Sequence, residues 1–125
     1  MTLRTLDAQR AEAVEALSEL IVPGSSRVGP VVYVDAILTN MPPPVRDEAL
    51  EAIDKLAPAA AAGSGALAEH EFTAEFAMVR ALAIEAYYSD FVAPGLDVDG
   101  AWKEIDFNSP LATRLSKDWS YLGVA

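Results

Sequence analysis

The sequence predicts an all-α fold of about four helices, and three observations carry that expectation. Apolar residues recur at helical spacing in successive stretches, Pro and Gly fall between those stretches, and no segment alternates with the period of two expected of a strand. The chain has 125 residues, which suits one domain (1–125) with a real core. Its hydrophobic content is 52%, but much of that is alanine. Alanine favours helix while burying little surface, so the Leu, Ile, Val and aromatic positions must supply the stability.

The first helix is capped by Thr5 or Asp7, carries Leu6, Val14, Leu17, Leu20 and Ile21 on its apolar side, and stops at Pro23-Gly24. Gly24 to Gly29 reads as a loop. Pro30 suits the first turn of a short second helix whose face is Val34, Ile37 and Leu38, ended by Asn40-Met41 and three prolines. The third helix is expected from about Val45 to Ala57, with Val45, Ala49, Ile53 and Leu56 inward and Arg46, Glu48, Glu51 and Asp54 outward. Pro58 to Gly65 reads as a connection. The fourth helix, from about Leu67 to Ser89, is apolar on nearly every face, the pattern of a central helix around which the others pack.

Residues 90–125 form an irregular, aromatic-rich wrap, broken by Pro94, Gly95, Gly100 and Pro110. Seven of the ten aromatic residues lie between Tyr87 and Tyr121: Tyr87, Tyr88, Phe91, Trp102, Phe107, Trp119 and Tyr121. These rings either cover the chain's own helices or press on another protein, because Trp and Tyr dominate interface energetics.

Composition narrows the function. No apolar run reaches the roughly 20 residues that cross a bilayer. The start, MTLRTLDAQRAEAVEAL, has neither a signal core nor a twin-arginine pair, which makes a cytoplasmic address the expectation. Net charge is −10 and the nine basic residues are scattered, so nucleic acid and anionic membrane surfaces are poor partners. Without cysteine, disulfides, iron–sulfur clusters and thiol chemistry are excluded.

Catalytic and metal motifs are weak. His70 stands between Glu69 and Glu71, which point to other faces of a helix and cannot share a metal with it. Gly63-Ser64-Gly65 lacks the lysine of a phosphate loop. Asp97-Val98-Asp99-Gly100 lacks the further ligands of a calcium loop and reads as a turn. No catalytic, cofactor or metal residue is therefore expected. Glu75, Arg80 and Glu85 lie among apolar neighbours on the fourth helix and need partners, but Arg80 and Glu85 are about 140° apart around it and do not meet each other.

Three segments in order, Thr5–Pro23, Val28–Leu38 and Phe76–Asp90, carry a resemblance. A first helix ending in Val22-Pro23, a short helix with Tyr33-Val34-Asp35 and a late helix ending in Tyr87-Tyr88 resemble the gluconate 2-dehydrogenase subunit 3 family. The ending, Ala101–Ala125, resembles a cytoplasmic actinobacterial-type branch of it. The resemblance implies a small non-catalytic subunit that stabilises or matures a large FAD-dependent oxidoreductase of the glucose–methanol–choline type, with FAD held by that partner. The twin-arginine export signal often carried by family members that act with periplasmic dehydrogenases does not occur at this start, a departure from the family pattern that makes a cytoplasmic complex the expectation. The residues expected to meet a partner or ligand are Tyr33, Arg80, Glu85, Tyr87, Tyr88, Phe91, Trp102, Phe107, Asp118, Trp119 and Tyr121.

Two other readings fit the same residues. A stand-alone helical enzyme could hold an apolar metabolite between the fourth helix and the tail, using Glu85, Asp90, Asp106 or Asp118 for cyclisation, isomerisation or dehydration. Alternatively the domain pairs with itself through an apolar surface.

Overall fold

A computed structural model of the chain describes residues 2–104 together with 122 and 123. The class is all-α: the described residues hold helices and a 3-10 turn, and no strand. Helix α1 spans Ala8–Ile21, α2 Pro30–Asn40, α3 Pro43–Ala62, α4 Ser64–Ala68, α5 Ala74–Tyr88 and α6 Ala101–Glu104, with a 3-10 turn at Ser25–Val28 between α1 and α2. No helix among the described residues is long and apolar enough to cross a membrane.

Local chemistry sets the boundaries. Asp7 caps α1 by accepting the Arg10 amide at 2.8 Å. Beyond Pro23, Gly24 takes φ +87°, a left-handed conformation that reverses the chain. Glu19 reaches past the end of α1 to accept bonds from the Gly24 amide and the Ser26 hydroxyl. Pro30 opens α2, where its missing N–H costs nothing.

Helix α3 is longer than expected. It runs on through Pro58 to Ala62 instead of ending near Ala57. Pro58 is exposed, and the residues after it are alanines, among which Ala59 and Ala60 are buried against the core. Strong helix formers with a buried face outweigh one lost hydrogen bond. The expected fourth helix is two helices, α4 and α5, separated by residues 69–73. Thr73 makes the break: its hydroxyl donates to the His70 carbonyl at 2.8 Å and accepts the Phe76 amide at 3.1 Å, which starts a new helix.

Helices α1, α2, α3 and α5 pack on one another around Leu17, Val34, Leu38, Ile53, Leu56 and Phe91, all essentially inaccessible to water. Helix α5 touches α1, α2 and α3, yet Ala74, Ala77, Arg80, Ala81, Glu85 and Tyr88 form a solvent face on it. Its all-round apolar character therefore does not translate into all-round burial.

The buried Asp35 of α2 ties down the N-terminal segment. Its carboxyl group accepts the backbone amides of Arg4, Thr5 and Leu6 at 2.9, 2.8 and 2.8 Å. Arg4 in turn donates to the carbonyl of Leu122 at 3.1 Å, and Leu122 is buried in the same core. Phe107, Asp118, Trp119 and Tyr121, like Asp106, lie outside the described residues.

Candidate functional site

Tyr87, Tyr88 and Trp102 meet at the C-terminal end of α5, where a second small core forms. Val22 and Val28 from the turn after α1, Tyr87 from α5 and Ala101 from α6 are its buried members, with Ile21, Ile84 and Val92 around them. Arg27 is held there by the 3-10 turn. Its guanidinium lies over the Tyr87 ring, 5.4 Å from the centroid, and donates to the Tyr87 hydroxyl, to the Asp99 carbonyl and, at 2.9 Å, to Glu104. The Tyr87 hydroxyl itself donates to the same Glu104 oxygen. Three elements far apart in sequence are thus latched through one phenol.

The electrostatics of this latch are those of a closed pair. Hydrogen bonds from Tyr87 and then Arg27 hold the Glu104 carboxyl below its ordinary range. Burial, and then the Glu104 carboxylate, push the Tyr87 phenol above its ordinary value, although Arg27 pulls the other way. A general base needs its pKa brought toward neutrality. Both groups here move away from it, and their hydrogen bonds join the turn after α1, α5 and α6.

The segment leaving α5 is shaped by Asp90, which adopts φ +66°. Its Oδ1 accepts the Trp102 amide at 3.0 Å. Gly100 is needed beside it, because a Cβ there would lie 2.2 Å from that oxygen. The Trp102 indole donates to the Tyr88 carbonyl at 3.0 Å, which sets the ring against the end of α5. Between these anchors the chain turns at Pro94-Gly95, with the Leu96 amide bonded to the Ala93 carbonyl at 3.2 Å. The turn sits there and not at Asp97–Gly100, which is irregular and mostly exposed.

The contact candidates separate into two groups. Tyr33 and Phe91 are core residues, ring against ring at 5.2 Å and 62°, and buried too deeply to meet a partner. Tyr87 is buried within the latch, its ring edge-on to Tyr88 at 5.1 Å. Arg80, Glu85 and Tyr88 are exposed, and Trp102 is half-buried. Arg27 and Glu104, which close the latch, carry no signal in the sequence, since the partners of Arg27 are 60 and 77 residues away.

Elsewhere two sets of charged groups join helices. An open groove of about 820 Å³ runs between α1 and α3 over Ala13, Ala16, Ala57 and Ala61. Arg10 bonds Asp54 beside it through two contacts of 2.9 Å, and these hold the Asp54 carboxyl below its usual range. Lys55 bridges Glu51 and Glu75 between α3 and α5. Among the described residues no group of three His, Cys, Asp or Glu side chains could hold a metal ion. Large apolar side chains do stand in water: Val45 in the first turn of α3, where it faces outward and not with Ala49, Ile53 and Leu56, Phe72 in the turn before α5, and Tyr88, Leu96 and Val98 at and beyond the end of α5. No protein-family model, curated protein or solved structure matches the chain.

Proposed function

We propose that this chain is a small, non-catalytic accessory subunit that binds a large FAD-dependent oxidoreductase of the glucose–methanol–choline type. The flavin and the substrate belong to the larger chain, and this one stabilises or matures it. Support comes from the order of Val22-Pro23, Tyr33-Val34-Asp35 and Tyr87-Tyr88 along the sequence. The observation that carries the reading is the apolar surface beside the latch. Tyr88, Leu96 and Val98 are 48%, 45% and 42% exposed on an otherwise strongly acidic chain, next to the half-buried Trp102. Large apolar groups exposed in one short stretch of chain favour association with another protein.

The test is co-purification from the source cells with an absorption spectrum of the eluate. A flavin spectrum accompanying a much larger chain is the expected result. Leu96→Asp and Val98→Asp should each weaken that association by about tenfold or more while leaving the helical content unchanged. A folded, colourless chain that elutes alone would end this reading.

One observation favours a second reading. The groove between α1 and α3 falls within the roughly 300–1,000 Å³ range of small-molecule pockets. It is lined by α1 and α3, and not by α5, beside which the sequence places an apolar metabolite. Mass spectrometry of the purified chain, before and after denaturation, would detect a retained molecule, and its absence would leave the subunit reading alone.

A further inference from the structure

The outer face of α5 has the repeat of a two-stranded coiled coil. Ala74, Ala77, Ala81, Ile84 and Tyr88 follow one another at spacings of three, four, three and four residues. These are the a and d positions of two heptads. Ala74, Ala77, Ala81 and Tyr88 are exposed and Ile84 is half-buried, whereas Val79, Leu82, Ala83 and Ala86 point into the bundle. The helix thus has two apolar sides; among the described residues its own bundle covers one and, on the other, reaches only Ile84, which packs on the small core.

The flanking charges identify what fits the other. With Ala74 at a, Arg80 is a g position and Glu85 is the next e position. Both are exposed, and neither has an ion-pair partner among the described residues. Five residues apart on one helix, they lie about 140° from each other and cannot pair. In two parallel helices in register, a g residue meets the following e residue of its neighbour, so Arg80 of each copy meets Glu85 of the other. An antiparallel pair brings g against g, setting one Arg80 beside the other and leaving both Glu85 side chains unmatched.

We propose that this face is a dimerisation seam that takes a second copy of the chain, with the two α5 helices parallel and in register about a two-fold axis. The alanines let the backbones approach closely. Tyr88 meets its symmetry mate at one end, and two Arg80–Glu85 pairs flank the seam. The contact spans only two heptads and each chain carries a net charge of −10, so the dimer is concentration-dependent and not permanent. The seam shares Tyr88 with the surface assigned above to the oxidoreductase, but it needs no other protein to form.

Sedimentation equilibrium of the purified full chain, from about 1 µM to about 1 mM, tests it. The expected result is a monomer–dimer equilibrium. Arg80→Glu and Glu85→Arg should each raise the dissociation constant by about tenfold or more, because each sets like charges across the seam. The double exchange R80E/E85R should restore it to within about twofold, since the pairs are then reversed but complete. Ala81→Glu should abolish the dimer. All three positions are exposed, so circular dichroism should read unchanged helix; should a charge exchange unfold the chain, R80A/E85A replaces it and should weaken the dimer. A wild-type monomer throughout the series overturns the proposal, and so does a dimer that Ala81→Glu leaves intact. A double exchange that fails to restore association overturns the parallel register.

Discussion

The two buried regions of this molecule are fastened by different physics. The main core joins α1, α2, α3 and α5 through large side chains and a buried carboxyl group, Asp35, spent wholly on backbone amides. The smaller core at the end of α5 has four buried members among the described residues and is closed from outside by Arg27 and Glu104, whose side chains are 36% and 59% exposed. The first sets the fold. The second positions the exposed loop that we read as a contact surface, through bonds that water and salt can weaken.

The largest break in this contrast comes from Asp35→Ala. It leaves three backbone amides without their acceptor, the Leu6 amide fully buried among them. Each orphaned buried donor carries a desolvation cost, and the sum is expected near 3 kcal/mol or more by urea unfolding. Asp35→Asn, which keeps one acceptor oxygen, should lose visibly less. A loss under about 1 kcal/mol for the alanine variant would mean that the N-terminal segment is not fastened by this residue.

Gly29→Ala tests the joint between the regions. Gly29 links the 3-10 turn to α2 with φ +70°, and a Cβ there would lie 2.6 Å from that of Ala93. The left-handed backbone and the collision together should cost about 2–3 kcal/mol. Ala93 belongs to the main core and donates its amide to the Val28 carbonyl of the small one at 2.9 Å, so the variant should loosen both sides of the joint, and more so the small core, which has fewer buried residues among those described. Hydrogen exchange at residues 92–104, compared with α1 and α2, would separate the two. Uniform acceleration across both would mean that the cores form one cooperative unit.

What the sequence made legible follows the same division. The ends of α1 and the start of α2 depend on local chemistry, and Asp7, Pro23-Gly24 and Pro30 announce them. The passage of α3 through Pro58 was hidden because the deciding term is tertiary, the burial of Ala59 and Ala60. The break at Thr73 did have a local signal, a capping residue two positions before Glu75, but the continuous apolar pattern obscured it. Tyr33-Val34-Asp35 stood out as a motif, yet only the fold reveals that Asp35 faces the chain's own N-terminus. Tyr87 and Trp102 were legible as candidates, whereas Arg27 and Glu104 were not. A latch made across long sequence separations leaves no pattern for periodicity or spacing to find.

The smallest expected effect belongs to the latch, and its sign can be worked out. The Glu104 carboxyl is held below its ordinary value of 4.5, so its contribution is complete above that value and is lost as pH falls through the lower, folded one. The Tyr87 phenol is raised above 10.0, so its contribution is complete below that value and is lost as pH rises through the folded one. The latch is therefore closed across neutrality and opens at both extremes. Tyr87→Phe removes the hydroxyl that both Arg27 and Glu104 use, and should lower the melting temperature by a few degrees at most. That deficit should be flat between about pH 5 and about pH 9 and shrink below and above this window, where the wild type has lost the same bonds. A deficit unchanged in acid would place its cause in the packing of the ring against Val22 and Val28. The two cores would then be fastened alike, by burial, and the contrast between them would be one of size alone.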